Sequence, residues 1–285
     1  MKAIFIIHLL ACVVALAGSQ SGLWINTPLF ALPIMAAAVL LAMALQWLAF
    51  LPAYKYQTER YYDLIGSLTF ISVTLFALFC AAHFDGRSLL LAGAIVLWAS
   101  RLGSHLFVRI LQDGSDSRFD KIKPSKTLFF RTWSLQGLWV TVTAGAALAA
   151  IGGAAPAALG WLDVFAVAVF LGGFVLETLA DTQKRRFRAA HGSGQFITTG
   201  VWAWSRHPNY VGEITLWLGI ALLAMPALHG WQFLTLISPV FVYLLLTRVS
   251  GVPLLERKAD LHWGEDPQYL AYKRRTPVLF PWSGH

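Results

Sequence analysis

Acidic and basic side chains alternate along one stripe in residues 177–191 of the sequence. Glu177, Asp181 and Arg185 are spaced four residues apart, so they share one face of a helix, and Arg188 continues that face. Carboxylates accept hydrogen bonds from ribose hydroxyls, and guanidinium groups bind phosphate through two parallel hydrogen bonds. The stripe therefore predicts a ligand with both hydroxyls and phosphates. Taken alone, the segment fits equally well a basic helix that binds anionic lipid headgroups.

A second polar stretch, residues 202–213, opens the apolar run that follows it. Pro208 is suited to the first turn of a helix, which would place Asn209 and Glu213 one turn apart on a buried face. A carboxylate just inside a membrane helix is costly and is usually functional. The alternative is a capping cluster in which Glu213 pairs with a neighbouring arginine. The predicted ligand contacts in this stretch are Trp202, Arg206, His207, Asn209 and Glu213.

A third stretch, residues 248–281, combines cations with aromatic rings. Tyr269 and Tyr272 are three residues apart on one face of a short helix, which is expected after the turn at residues 266–267. Rings beside Arg and Lys side chains are able to sandwich an adenine or a nicotinamide. Aromatic residues of a membrane interface would look similar. The predicted ligand contacts here are Arg248, Arg257, Tyr269, Tyr272 and Lys273.

The fourth stretch, residues 57–63, offers an acid for catalysis. Glu59, Tyr62 and Asp63 share one helical face. A carboxylic acid kept neutral by an apolar pocket can donate a hydrogen bond to a substrate carbonyl, and a phenol can do the same. Acidic residues that merely mark the start of a helix would give the same pattern.

The elements that position these residues must be membrane helices. The chain has 285 residues, 57% hydrophobic and only 13% charged, and its mean hydropathy is +0.62. This composition excludes a soluble enzyme and a disordered chain. The net charge of +8 lies on an apolar background, which argues against a nucleic-acid partner. Cys12 and Cys80 lie inside apolar runs, so neither a disulfide framework nor a metal site is predicted.

Eight apolar runs approach the length of a membrane span; they cover residues 3–18, 30–53, 64–82, 88–110, 134–152, 161–180, 212–226 and 231–248. The last seven predict an all-α core of seven transmembrane helices. The first run follows Lys2 and ends in small residues at 15–19, so it is either an eighth helix or a cleaved signal peptide. We expect one membrane domain over residues 1–285, divided into N-terminal spans (1–56), substrate-side helices (57–176) and a cofactor-binding half (177–285).

Lys and Arg concentrate in the connections at residues 55–60, 109–131, 184–206 and 248–275. Two predicted crossings separate each connection from the next, so all four lie on one side. The positive-inside rule makes that side cytoplasmic. The opposite connections at 152–160 and 226–230 carry no Lys or Arg. We therefore expect a multi-pass protein of the bacterial inner membrane, whose cytoplasmic loops close over a cofactor cavity.

The chain resembles the steroid 5α-reductase family over most of its length, apart from the first two spans. The resemblance is carried by Ser-Arg-His-Pro-Asn-Tyr-Val-Gly-Glu at 205–213, together with the Trp-Gly-x-x-x-x-Tyr-x-x-Tyr-x-x-x-x-Pro pattern at 263–277. Thr-Glu-Arg-Tyr-Tyr-Asp-Leu-Ile-Gly-Ser at 58–67 and the segments 101–109 and 114–120 add to it. A weaker form of the paired motif occurs in isoprenylcysteine carboxyl methyltransferases and sterol C14 reductases.

The resemblance implies a reductase that uses NADPH to saturate the Δ4 double bond of a 3-oxo-Δ4-steroid, by hydride transfer to the β carbon. It assigns Asp181, Arg185 and Arg188 to the ribose and phosphates of the nucleotide, and Asn209 and Glu213 to the nicotinamide end. Arg248 and residues 269–273 match the closing segment of the family. Glu59 matches the carboxylate that polarises the carbonyl. No Gly-x-Gly-x-x-Gly segment follows a predicted strand, so helices and loops must hold the dinucleotide.

The family pairs its carboxylate with a tyrosine two spans further along, and this chain has none there. Tyr61 or Tyr62 takes that role, or Arg101 does, or the substrate is oriented differently. We therefore predict Glu59 and Tyr62 as catalytic residues. Gln57, Tyr61 and Arg101 are predicted to bind the substrate.

Two other functions compete with a reductase. One is an S-adenosylmethionine-dependent methyltransferase acting on a lipophilic substrate, although the arginines favour a phosphate-bearing cofactor. The other is a transporter, although its charges would be expected near the middle of the bilayer. The predicted partners are a steroid or another flat enone and membrane lipids. The protein is expected to act as a monomer.

Overall fold

A computed structural model describes residues 2–26, 31–81, 84–154, 157–192 and 194–280. These residues are almost entirely helical, with a single short hairpin formed by the antiparallel strands β1 (Trp24–Asn26) and β2 (Ala31–Pro33). The α-helices are α1 (Lys2–Ser19), α2 (Ile34–Lys55), α3 (Tyr62–Ala81), α4 (Gly86–Asp113), α5 (Lys126–Ile151), α6 (Trp161–His191), α7 (Pro208–Ala224), α8 (Ser238–Leu244), α9 (Val252–Trp263) and α10 (Pro267–Arg275).

Eight helical segments of the described residues are long and apolar enough to cross a membrane. Six of them are α1 to α6, and the other two are Pro208–Ala227 and Gly230–Trp263. The predicted all-α membrane fold is confirmed, and the N-terminal run forms an eighth long helix. The last segment is not one regular α-helix, because it contains 3₁₀ turns at Gly230–Ile237 and a π-helical turn at Leu245–Val249.

The chain divides into two compact units. Unit 1 contains the residues up to Asp163 together with Ile220–Ser238. Unit 2 contains Val164–Gly219 and the residues from Pro239 onward. The predicted substrate-side residues therefore belong to unit 1, and the predicted cofactor-binding residues belong to unit 2.

Helix α5 forms the core of unit 1. Nearly all of its residues from Gln136 to Ile151 are buried, and it contacts α1, α2, α3 and α4. Its second half is rich in Ala, Gly and Thr, and such small side chains allow membrane helices to approach closely. The neighbouring helices can thus surround α5 with little space between their backbones.

A buried ion pair joins the start of α6 to the start of α4 within unit 1. Arg87 Nη1 donates to Asp163 Oδ1 at 2.5 Å and to the Leu223 carbonyl at 2.6 Å, and Nη2 donates to the Ala158 carbonyl at 2.9 Å. The Gly160 amide also donates to the Asp163 carboxylate, at 2.7 Å. Because both charges are paired and hydrogen-bonded, their burial is tolerated. This pair holds a helix end together rather than offering a site.

In unit 2, helix α6 packs closely on α7, which begins within the second polar stretch. A Cβ atom at Gly212 would lie 2.5 Å from the Glu177 backbone nitrogen and 2.7 Å from the Gly173 carbonyl oxygen. Only glycine therefore permits this approach of the two backbones. Glu177 and Glu213 thus lie on two helices whose backbones are in direct contact, and both side chains are buried.

Candidate functional site

The carboxylate of Glu256 is the centre of a network in unit 2. His207 Nε2 lies 2.9 Å from Glu256 Oε1, and Arg206 Nη1 lies 2.8 Å from Glu256 Oε2. Lys273 Nζ approaches the same Oε2 at 3.4 Å. One glutamate on α9 therefore connects the loop before α7 to helix α10. We call these four residues the Glu256 network.

The network changes the interpretation of three residues predicted to contact a cofactor. Arg206, His207 and Lys273 all point at Glu256, so their polar atoms are largely used within the protein. The exception is Arg206 Nε, which is buried and has no hydrogen-bond partner among the described residues. That nitrogen is a donor of the network that remains for a ligand or for water.

His207 is held as a neutral ring. Its pKa lies below the usual value because burial penalises the charged imidazolium, and nearby Lys184 and Arg206 add to this effect. The hydrogen bond to Glu256 opposes the shift without reversing it. The ring stacks on Tyr210, with centroids 5.4 Å apart. A neutral imidazole beside a carboxylate donates through Nε2, which leaves Nδ1 as an acceptor.

The two tyrosines of α10 do not form the predicted ring sandwich, and that prediction is wrong. Tyr269 and Tyr272 are both almost fully buried and pack against Phe196, at centroid distances of 5.3 and 6.1 Å. Tyr269 Oη donates to Asp260 Oδ1 at 3.0 Å, and Lys273 Nζ donates to the same oxygen at 2.6 Å. The faces of both rings are occupied by protein.

Tyr272 also ties α10 to the segment that contains Trp202. Its hydroxyl donates to the Trp202 carbonyl at 2.7 Å, and the indole of Trp202 donates to the Ala180 carbonyl at 3.1 Å. Lys184 Nζ lies 4.7 Å from the centre of the Trp202 ring. Trp202, predicted as a cofactor contact, is buried and joins α6 to α10. These bonds bring the two sequence motifs together.

A second set of cations in unit 2 is exposed. Arg185, Arg248 and Arg257 are solvent-exposed, and within the described ranges they form no ion pair or hydrogen bond. Arg188 on the same helix as Arg185 is also exposed. Asp181 and Asn209 are half-buried. The guanidinium groups of Arg185, Arg248 and Arg257 are therefore available to bind an anion.

In unit 1, Glu59 is an ionised partner of Lys123. Lys123 Nζ donates to Glu59 Oε2 at 2.5 Å, and the Asp116 amide donates to Oε1 at 2.9 Å. Burial by itself would raise the pKa of Glu59, but the hydrogen bonds from Lys123 and from the Asp116 backbone outweigh it and lower the pKa. The prediction that burial keeps this carboxyl neutral is therefore wrong. An ionised carboxylate cannot donate a hydrogen bond to a ketone.

Tyr62 is likewise unavailable as a proton donor in this conformation. Its hydroxyl donates to the Thr132 carbonyl at 3.0 Å, and its ring packs edge-on against Phe119 and Trp133 at 5.0 and 5.1 Å. In this arrangement the phenolic proton links α3 to α5, and the catalytic role of Tyr62 stays a prediction. The aromatic residues around it form one of the apolar clusters of unit 1.

The predicted substrate-binding residues of unit 1 are partly exposed. Tyr61 is half-exposed and stacks on Phe107, with centroids 5.9 Å apart. Gln57 is exposed, has a left-handed φ of 51°, and donates through Nε2 to the Tyr54 carbonyl at 2.8 Å. Arg101 is half-buried on α4. Their roles in substrate binding stay predictions.

Sequence reasoning missed Glu256, Asp260 and Lys123. Glu256 and Asp260 are four residues apart on α9 and opposite in charge to the basic motifs, a pattern that could have indicated partners for the cations. Lys123 gave no comparable signal, because its partner Glu59 is 64 residues away.

The fold is that of a polytopic helical membrane protein. In unit 2, the residues of the sequence motifs lie beside exposed arginines. The chain belongs to the family described as "Protein of unknown function (DUF1295)", whose pattern matches residues 49–276. That family includes steroid 5α-reductase-like membrane proteins. An uncharacterized protein of Schizosaccharomyces pombe is 29% identical over 147 residues, which cover 44% of this chain and 40% of the yeast protein. The chain thus spans about two fifths of that relative's length. No solved structure matches this chain.

Proposed function

We propose that this protein is a membrane reductase that uses NADPH to saturate a carbon–carbon double bond conjugated to a ketone in a flat apolar substrate. A 3-oxo-Δ4-steroid is the model substrate of this proposal. The observation that carries it is the Glu256 network, which joins the motif at 205–213 to α10 in unit 2. This network neutralises Arg206 and Lys273 internally, while Arg185, Arg248 and Arg257 stay exposed on the same unit.

The residues of unit 2 fit a nucleotide with phosphate groups. Exposed guanidinium groups suit phosphate oxygens because they donate two parallel hydrogen bonds. In the proposal, Arg185, Arg188, Arg248 and Arg257 bind phosphates, and Asp181 accepts from a ribose hydroxyl. Asn209 and Glu213 at the start of α7 face the nicotinamide end. Bound NADPH would supply the hydride, so no redox-active side chain is required.

Lys123 replaces Glu59 as the proposed donor to the ketone oxygen. An ammonium group has three N–H donors, and Lys123 directs one of them to Glu59. The remaining donors can stabilise the negative charge that develops on the oxygen as the enone accepts a hydride. Glu59 accepts this hydrogen bond and so holds the Lys123 side chain in place. The Lys123 side chain is only 17% exposed, which limits competition from water.

The proposed setting follows from the distribution of charge. The positive-inside rule assigns the basic connections to the cytoplasm. The protein would then be a multi-pass monomer of the bacterial inner membrane, with its nucleotide site facing the cytoplasm and with membrane lipids around its spans. Protease protection in inverted and right-side-out vesicles checks this orientation. We expect cleavage near residues 114–125 only when the cytoplasmic side is accessible.

Nucleotide binding separates this proposal from a methyltransferase. Purified protein in detergent is titrated with NADPH, NADH and S-adenosylmethionine, and binding is followed by quenching of tryptophan fluorescence. We expect NADPH to bind at least about tenfold more tightly than NADH, since its additional phosphate offers further charge-assisted contacts. S-adenosylmethionine should not compete. Binding of S-adenosylmethionine without binding of NADPH would replace the reductase with the methyltransferase.

A further inference from the structure

Buried polar side chains form a layer in the interior of unit 1. Gln46 on α2, Thr69 and Thr74 on α3, and Gln136 and Trp139 on α5 lie within helices that are long enough to cross a membrane. The side chains of Gln46, Thr69, Thr74 and Gln136 are at most 3% exposed. We call these five residues the inner polar layer.

Contacts between the three helices bring several residues of the layer close together. Gln46 Nε2 donates to Thr69 Oγ1 at 2.9 Å. A Cβ atom at Gly137, next to Gln136, would lie 3.4 Å from Gln46 Cγ, and one at Gly66 would lie 2.6 Å from Gln136 Nε2. The Trp139 ring packs edge-on against Phe70, the neighbour of Thr69, at 5.2 Å. Gln46 on α2 and Thr69 on α3 are therefore in direct contact, and Gln136 and Trp139 on α5 pack against the same part of α3.

Four polar atoms of the inner polar layer have no partner among the described residues. They are the acceptors Gln46 Oε1 and Gln136 Oε1, the hydroxyl Thr74 Oγ1, and the donor Trp139 Nε1. A buried polar atom without a partner costs about 1 to 3 kcal/mol, and few native proteins tolerate several in one place. In a bilayer, where no bulk water reaches the interior, such groups are usually functional.

The Gln46–Thr69 contact lies below the Lys123–Glu59 pair within unit 1, and Thr74 lies further along α3. Thr69 is seven residues into α3, which starts next to the loop of Glu59, and at 1.5 Å per residue this is a rise of about 10 Å. Between the two lies the aromatic cluster of Tyr62, Phe119, Phe129 and Trp133. Along these helices, the Lys123 donor is followed by the aromatic cluster and then by the polar side chains of the layer. A rigid, flat, apolar molecule with an oxygen at each end has the same order.

We propose that the inner polar layer binds a hydroxyl group at the end of the substrate remote from the ketone, an inference that rests on the proposed reductase function. A hydroxyl both donates and accepts, so it can donate to Gln136 Oε1 and accept from Trp139 Nε1. A ketone only accepts, and a hydrocarbon end does neither. The substrate class is thereby narrowed to enones with a distal hydroxyl.

Three steroids that share the 3-oxo-Δ4 ring test this inference. Testosterone has a hydroxyl at carbon 17, androst-4-ene-3,17-dione has a ketone there, and androst-4-en-3-one has no oxygen. Dissociation constants are measured on the full-length protein in detergent without turnover. We expect testosterone to bind about tenfold more tightly than androst-4-en-3-one, the magnitude of a good hydrogen bond, with the dione in between.

Three variants test which residues cause the preference for testosterone. Gln136→Leu and Trp139→Phe should each bring the two affinities close to equality. Thr143→Val, which removes another buried, unpartnered hydroxyl of α5 outside the layer, should keep the wild-type preference. Gln136→Leu should also raise the midpoint of thermal unfolding by about 2 °C without steroid, because it removes an unpartnered acceptor.

The inference is overturned if the wild type does not bind testosterone more tightly, or if both Gln136→Leu and Trp139→Phe retain the preference. If Gln136→Leu lowers the unfolding midpoint, Gln136 stabilises the fold. The binding preference of Trp139→Phe then tests the inference by itself. Turnover is scored separately. Absence of NADPH oxidation with all three steroids would overturn the proposed function, while the binding preference would still test the inner polar layer.

Discussion

Two carboxylates, Glu59 in unit 1 and Glu256 in unit 2, are both paired with basic side chains but connect different parts of the molecule. The Glu59 side chain is 5% exposed and binds one lysine and one backbone amide. The Glu256 side chain is 20% exposed and binds an arginine, a histidine and a lysine. Glu59 attaches one loop to a helix start, whereas Glu256 joins three segments that are far apart in the sequence.

The difference shows what a buried carboxylate contributes in each place. Glu59 leaves two N–H groups of Lys123 without a partner among the described residues, so the pair still offers a donor. Glu256 binds two cations, Arg206 and Lys273, and the neutral His207. In the proposed function, the first carboxylate positions the donor to the ketone, and the second holds together the segments of the nucleotide site. Each of the following predictions alters one side of this comparison.

The largest effect is expected at Lys123. Lys123→Met removes the donor to the ketone oxygen, so kcat should fall by about a hundredfold, the usual loss for one oxyanion donor. The dissociation constant of NADPH should not change. Glu59→Gln should lower kcat less, because it loosens Lys123 without removing it. Steady-state kinetics with testosterone measure both.

Lys121→Met is the matched control for this prediction. Lys121 lies in the same loop and is exposed, so its removal should leave kcat unchanged. A Lys123→Met protein with the wild-type kcat would show that the ion pair is only structural.

The next effect concerns the Glu256 network. Glu256→Ala leaves Arg206, His207 and Lys273 without their common partner, and removal of one member of a largely buried pair is costly. We expect a loss of about 2 kcal/mol in unfolding free energy and a weaker affinity for NADPH. Thermal unfolding in detergent and nucleotide titration measure these changes. Glu265→Ala, at an exposed glutamate of unit 2, serves as the control, and equal behaviour of the two variants would refute the account of the network.

A smaller effect is expected at the exposed arginines. Arg185→Gln and Arg257→Gln should each raise the dissociation constant of NADPH by about tenfold, the loss of one charge-assisted contact. The loss should shrink as salt is added, because exposed charges are screened. Arg274→Gln on α10 removes an exposed positive charge outside the predicted site. If all three variants bind alike, the cations act only as a general basic surface.

The smallest effect is a pH dependence of stability. Folding lowers the pKa of His207 below its usual 6.5 because the ring is buried. Below about pH 6.5 His207 therefore binds a proton in the unfolded chain but not in the folded protein. As a result, the free energy of unfolding decreases as pH falls. The lowered pKa of Glu59 has the same sign, and its contribution is lost below about pH 4.5.

His207→Gln should flatten the curve between pH 7 and pH 5.5, measured as the unfolding midpoint in detergent. His262→Gln, at an exposed histidine of α9, should leave the curve unchanged. A wild-type curve that is already flat over this interval would contradict the assignment of a neutral buried His207.

The sequence predicted the fold class and most spans, since apolar runs near 20 residues report on the membrane directly. It did not predict the interruptions of the last span, because the 3₁₀ turns at Gly230–Ile237 and the π-helical turn at Leu245–Val249 depend on packing. Of the predicted motif residues, the structure brings Arg206, His207 and Lys273 together. Their common partner was not predicted, because Glu256 lies 49 and 50 residues from His207 and Arg206.

The protonation of Glu59 could not be predicted for a related reason. Burial alone favours a neutral carboxyl, and the sequence indicated burial correctly. The ionised form is decided by Lys123 and the Asp116 amide, whose approach requires the tertiary fold. Sets of residues that share one helical face could be recognised in the sequence. Ion pairs and hydrogen bonds between segments that are distant in the sequence could not.

Transfer of deuterium from the nicotinamide ring to a steroid tests the central claim most directly. The purified protein is incubated with testosterone and with NADPH that carries deuterium at carbon 4 of the nicotinamide, and the product is analysed by mass spectrometry and NMR. We predict a saturated 3-ketosteroid with one deuterium at carbon 5, the β carbon of the enone. Unchanged steroid in the presence of intact, folded protein, or a product without the label, would contradict the account.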